Sequence, residues 1–232
     1  MFAIDIDGTI AWPDKALARF HNEDLQLGIP EQMLERITSY EQFIHTAELT
    51  RFLEQQLFPG KMLENSRKRA RRNPEYLASL DAIPGAVQAL RGLAKQDRIN
   101  YYTVRDASVE QATRTWLAQK QFPHMPVVYC CSALNKLVKL YEREQGSSEL
   151  IMLIDDHWLQ LLEAYHGLTQ GRYKQVIGEW REVAQFVKER VMIVGFGATA
   201  AEVNFTPTLP VKALAGWEHM NDFMALFQAT LQ

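Results

Sequence analysis

Only two of the 232 residues are cysteines, and Cys130 and Cys131 are adjacent, which suits neither an ordinary disulfide nor a multi-cysteine metal site. This scarcity fits a reducing compartment, so the expected location is cytoplasmic. An excess of one charge is also missing. Twenty-five basic and 28 acidic residues leave a net −3, too balanced for wholesale binding to nucleic acid or to an anionic membrane. No apolar run approaches the ~20 residues of a membrane span. The chain starts Met1-Phe2-Ala3-Ile4-Asp5-Ile6-Asp7, with acids where a secretion signal needs an apolar stretch. Internal repeats and low-complexity segments are absent. What is present is ordinary for a globular chain: 47% hydrophobic and 23% charged residues, 12 glycines and 9 prolines, which excludes disordered, collagenous and coiled-coil classes. Nothing in this composition specifies an oligomeric state.

The length is about 1.5 times a typical ~150-residue domain, which accommodates a core carrying a smaller partner. The apolar run over 2–6, broken at once by Asp7-Gly8-Thr9, reads as a first and central strand. From about residue 12 to residue 80 the pattern is helical. Ala16, Leu17 and Phe20 lead to a turn at Gly28-Ile29-Pro30; helical spacing then runs from Met33 to Leu57 and stops at Pro59-Gly60. A further helix carries the basic run 67–72, and Pro74 opens a short one. No strand is expected in this block. Beyond Pro84-Gly85 the chain alternates: helix 86–95, strand 99–103, helix 109–119, strand 127–130, helix 134–143, strand 150–154. Nearly continuous apolar strands between helices predict a parallel sheet covered on both faces. The stretch 158–189 reads as a long helical insertion broken near Gly167 or Gly171. Strand 191–194, a proline-punctuated loop over 206–210, a short strand near Val211 and a helix from Trp217 follow. The expected fold class is α/β, a doubly wound, Rossmann-like parallel sheet over 1–10 and 83–232, with an α-helical cap over 11–82. An insert after the first strand sits over the carboxyl ends of the strands, where such sheets bind ligands.

Asp5-Ile6-Asp7-Gly8-Thr9 closes the first strand. Residues i and i+2 of a strand share a side, so both carboxylates are expected to emerge together while Gly8 permits a sharp exit. Two convergent acids repel unless a cation lies between them, which implies a hard divalent ion, Mg²⁺. A carboxylate beside a second carboxylate can act as nucleophile and general acid/base toward a phosphoryl group. A turn with backbone-bonded Asp side chains is the plain alternative, but four fixed identities recur by chance on the order of 10⁻⁵ per position. A second acidic pair, Asp155-Asp156, ends the apolar run Ile151-Met152-Leu153-Ile154.

The first motif resembles the DxDGT signature of the haloacid dehalogenase (HAD) superfamily, and the superfamily's remaining motifs have counterparts in order. Thr103 ends the next core strand, Lys136 stands near the start of a later helix with Lys139 one turn on as rival, and Asp155-Asp156 supplies the fourth motif. The Pro84-Gly85 approach to the helix after the insert, and a helical cap between the first two motifs, are also similar. The resemblance implies a Mg²⁺-dependent phosphatase acting on a small phosphorylated substrate. Asp5 would be the nucleophile and Asp7 the general acid/base. Thr103 and Lys136 would hold the non-bridging oxygens, and Gly8, Thr9 and Arg105 would contact substrate. The metal would lie on the Asp5 carboxylate, the Asp7 carbonyl and an acid of the fourth motif, Asp156 in preference to Asp155. Asp7 favours ester hydrolysis over dehalogenation, where no leaving oxygen needs a proton. Nucleotidase-like relatives often have Pro where Asp106 follows Arg105, so a nucleotide substrate rests on weaker likeness. Two alternatives use the same fold: a catalytically silent protein binding a polyanion through the basic helix, and a phosphotransferase.

Lesser signals receive structural readings. The basic run 67–72 is a solvated helix face unless it faces the cleft. Cap aromatics (Phe20, Tyr40, Phe43, Phe52, Phe58, Tyr76) at helical spacing are mostly core. Cys130 and Cys131 are packing residues, and His157, the one histidine beside the proposed site, is read as a helix-start residue facing solvent in preference to one lining the pocket. Gly195-Phe196-Gly197-Ala198-Thr199-Ala200 imitates a dinucleotide-binding turn, but too few residues follow to complete the unit.

Overall fold

Side chains alternate in direction along a strand, and the first strand divides its residues between two apolar clusters accordingly. In the computed structural model, which describes residues 1–204 and 209–230, there are eight strands. They are β1 (Phe2–Ile4), β2 (Ala11–Trp12), β3 (Asp81–Ala82), β4 (Ile99–Thr103), β5 (Val127–Tyr129), β6 (Ile151–Asp155), β7 (Val191–Phe196) and β8 (Val211–Leu214). Six form one parallel sheet in the order β5-β4-β1-β6-β7-β8. The first strand is central, with Ile4 opposite Tyr101 on one side and Ile154 on the other. The end of the expected loop over 206–210 is described from Leu209 onward; the earlier part lies outside the described residues.

The segment after β1 forms six helices: α1 (Asp14–Asp24), α2 (Glu31–Leu34), α3 (Tyr40–Ile44), α4 (Ala47–Glu54), α5 (Pro59–Ala70) and α6 (Pro74–Ser79). The spacing from Met33 to Leu57 is thus three short helices. Pro59 and Pro74 each open a helix at its first turn, where a missing N–H costs nothing. The Asn73 side chain caps α6 by accepting from the N–H of Glu75 (2.8 Å) and Tyr76 (3.0 Å). As expected, no strand interrupts the helices; two short strands stand at the ends of the block. β2 and β3 pair antiparallel, Ala11 with Ala82 and Trp12 with Asp81, and form a two-stranded stalk where the segment leaves and rejoins the sheet.

The sheet is covered on both faces. Phe2, Ile4, Tyr101 and Ile154 pack with α7 (Ala86–Leu93), α8 (Glu110–Gln119) and the closing helix; Ala3, Tyr102 and Leu153 pack with α9 (Ala133–Glu144), α10 (Trp158–Thr169) and α11 (Trp180–Arg190). The stretch 158–189 is therefore part of the core. Trp158 and Leu161 of α10, with Val183 and Val187 of α11, cover the second face. α12 (Ala200–Val203) has only four residues behind a Thr199 capping box, so the glycine turn before it lacks a dinucleotide helix; α13 (Met220–Thr230) ends the described chain. The helical segment has its own small core of Ala18, Ile29, Leu34, Ile37, Phe43 and Leu49. Leu77 and Leu80 of its last turn join the cluster of Phe2 and Ile4, and the Trp116 indole donates to the Leu80 carbonyl at 2.8 Å.

Candidate active site

A cavity of about 790 Å³ lies between the carboxyl ends of the central strands and the helical segment. Its floor follows from strand parity. Asp5 continues the face of Ala3, and Asp155 that of Leu153, so both meet α9, which packs on that face. Ser132 caps α9 by accepting from the Asn135 N–H at 3.1 Å, which fixes the first turn carrying Lys136. The Lys136 ammonium bonds Asp5 Oδ1 at 2.8 Å and Asp155 Oδ2 at 2.5 Å, all three side chains being buried. Lys139 instead donates to the Tyr129 carbonyl, so of the two lysines it is Lys136 that meets the acids.

Asp5, Asp155 and Asp156 bring carboxylate oxygens within 4.8 Å of one another. Burial, reinforced by the charges of Asp155 and Asp156 and opposed by Lys136, pushes the Asp5 carboxyl up to about 8. Burial and Asp155 push Asp156 up to about 7. Lys136 is shifted upward, its two carboxylate partners outweighing burial. Three acids facing one ammonium leave the pocket short of positive charge, and hard oxygen donors at this spacing fit a divalent cation such as Mg²⁺. Gly8 is part of the same design. Its φ is +87°, and a Cβ there would run into the Asp156 carboxylate.

The remaining predicted residues have other partners. Asp7 lines the same cavity as Asp5, as expected of residues i and i+2, while its carboxylate lies outside the acidic trio. Arg105 holds it, with Nη2 to Oδ1 at 2.7 Å and Nε to Oδ2 at 2.9 Å. Arg105 is fully buried, lies over the Trp116 ring and donates to Thr113. Thr9 is likewise buried. Its hydroxyl accepts from the Asp156 N–H at 3.1 Å and its carbonyl accepts from the Trp217 indole at 2.6 Å. Thr103 is buried with its Oγ1 accepting from the Arg105 N–H at 3.2 Å; neighbouring Val104 lines the cavity.

No family model and no curated protein matches the sequence. Solved structures do match in shape. A HAD-superfamily hydrolase of subfamily IA from Geobacter sulfurreducens aligns with a TM-score of 0.53 at 15% identity, over 96% of this chain and 95% of the other. A HAD family hydrolase from Deinococcus radiodurans with bound phosphate and sodium aligns at 0.50 and 13%, over 99% and 96%. A HAD-hydrolase candidate from Bacillus subtilis, bound to magnesium and showing interdomain movement, aligns at 0.53 and 15%, over 97% of both chains. The fold is that of the HAD-like hydrolases. Among the described residues no helix is long and apolar enough to cross a membrane.

Within this HAD-like fold, the wall facing the trio holds residues that local sequence did not assign. Trp12, Tyr40, Tyr76, Arg67 and Arg71 line the cavity, so not all aromatics of this segment are core, and the basic run is not one solvated face. Phe43 is core as expected, stacked on His21. Cys130 is buried, but Cys131 is exposed and lines the cavity, which corrects its reading as a packing residue. His157 is largely exposed as expected, yet it also lines the cavity.

Proposed function

We propose that the chain is a Mg²⁺-dependent phosphomonoester hydrolase that forms an aspartyl-phosphate on Asp5, with residues 11–82 as its cap. The observation that carries this reading is the buried Asp5–Lys136–Asp155 constellation beside Asp156 at the floor of the cavity. The HAD-like fold and the bound phosphate of the Deinococcus structure support it. Asp5 attacks phosphorus in line as the bond to the leaving oxygen breaks, and Asp7 gives that oxygen its proton. Water then attacks the aspartyl-phosphate, Asp7 takes its proton, and inorganic phosphate leaves with Asp5 restored. Lys136 orients Asp5 and, with Thr103, is the proposed donor to the non-bridging oxygens. The Asp5 and Asp156 carboxylates and the Asp7 carbonyl, with Asp155 behind them, would hold Mg²⁺, which when bound would neutralise charge on the phosphoryl group. The two free cysteines support a cytoplasmic location.

The test is phosphate release from a panel of sugar phosphates, nucleotides and phosphorylated acids. Release is expected with Mg²⁺, is lost on chelation, and falls at least about 10³-fold in Asp5→Asn, whose circular dichroism matches the parent. No release from any member of a broad panel contradicts the proposal.

A further inference from the structure

The basic run on α5 and its exit divides by partner. Lys68 pairs with Glu64 at 2.6 Å, Arg69 with Asp24 at 2.6 Å and Arg72 with Asp106 at 2.8 Å. Arg67 and Arg71 form no ion pair among the described residues, and both line the cavity. Four residues apart, they share a helix face, one turn from each other. Arg67 also lies over the Tyr40 ring, 5.1 Å from its centroid, which holds the guanidinium against the wall.

The cavity's own acids are already engaged. Asp5 and Asp155 share Lys136, Asp7 is gripped by Arg105, and Asp14 accepts from the Tyr40 N–H at 3.1 Å. Asp156 completes the acidic trio. Asp7, the group that faces the leaving oxygen in the proposed reaction, lines the same cavity as Arg67 and Arg71, and the two arginines come from the helical segment that covers the strand ends.

We propose that Arg67 and Arg71 bind a second anionic group, a phosphate or carboxylate, on the leaving group, so that the substrates are phosphomonoesters with an anion at each end. The inference rests on the proposed hydrolase reading. Guanidinium forks suit either anion by paired hydrogen bonds, each charged bond being worth about tenfold in affinity.

The experiment compares kcat/KM for a sugar bisphosphate, a sugar phosphate with a carboxylate at its far end, and p-nitrophenyl phosphate. The parent and the variants Arg67→Gln, Arg71→Gln, the double variant and Lys68→Gln are measured with Mg²⁺. The expected result is a ratio of dianionic to p-nitrophenyl substrate that falls about tenfold in each arginine variant, mainly through KM, and more in the double. Lys68→Gln keeps the parental ratio. Which dianionic substrate loses more identifies phosphate or carboxylate as the bound group. A ratio unchanged in the double variant overturns the inference. Calorimetric binding of the sugar bisphosphate separates the two readings. Binding weakened at least tenfold in the double variant without turnover of any ester removes the hydrolase and keeps the anion site; equal binding by parent and double variant removes the site.

Discussion

Arg105 delivers its guanidinium fork to Asp7 from a buried position over the Trp116 ring, and among the described residues Asp7 is the carboxylate it pairs with. Its proposed contribution is to place the acid that protonates the leaving oxygen. That need depends on the ester: a phenolate with a low pKa leaves without help, an alkoxide does not. Arg105→Met is therefore expected to lower kcat/KM, which reports the step that expels the leaving group, about 10²-fold for an alkyl phosphate and less than tenfold for p-nitrophenyl phosphate, with Arg105→Lys between. Equal losses on both esters, read from steady-state kinetics of folded protein, assign Arg105 a purely structural role. At this scale Asp5, Gly8, Lys136 and the Asp155-Asp156 pair were legible in the sequence, because each sits at a strand end or capped helix start. The roles of Arg105 and Thr9 were not. They depend on Asp7 and Asp156, 98 and 147 residues away, and on indole and threonine partners that no local pattern reveals.

Helix α1 carries His21, wholly buried, with Nδ1 2.6 Å from Ser66 Oγ on α5 and its ring stacked on Phe43. Burial and then Arg67 lower its pKa from 6.5 to about 4. A folded pKa below the unfolded value means the unfolded chain binds more protons between the two, so stability is full above about pH 6.5 and declines as pH falls toward 4. The loss is on the order of 3 kcal/mol if fully realised. Hydrogen exchange at pH 5 against pH 7 is expected to show faster exchange in α1, α3 and α5 than in the central strands, and His21→Phe to reduce the difference. An acid response spread evenly over sheet and cap contradicts it. The core elements were legible, since strand 99–103 and its neighbours alternate strongly with amphipathic helices. The stalk strands β2 and β3 were not, as two residues each carry no periodicity, and one apolar spacing could not distinguish three short helices from a long one.

Across the whole molecule, an apolar cluster running from Phe2 and Ile4 to Leu17, Ala70, Leu77 and Leu80 seats α1, α5 and α6 of the inserted segment on the sheet's face, while Ala18, Ile29, Leu34, Ile37, Phe43 and Leu49 form a small core within the segment. The division into a 1–10 and 83–232 core with an 11–82 cap, which composition and pattern implied, leaves that shared seam out of account. One cavity takes its reactive acids from strand ends and its free arginines from the insert. In the proposed reaction the sheet supplies the chemistry and the helices the selection, and the phosphoryl group passes through Asp5. The most direct measurement mixes enzyme, Mg²⁺ and a turned-over phosphomonoester, quenches in acid within the first turnovers, and maps added mass by peptide sequencing. One phosphoryl group is expected on Asp5, released by hydroxylamine and absent from Asp5→Asn. Turnover with no covalent phosphate, or with phosphate on another residue, contradicts it.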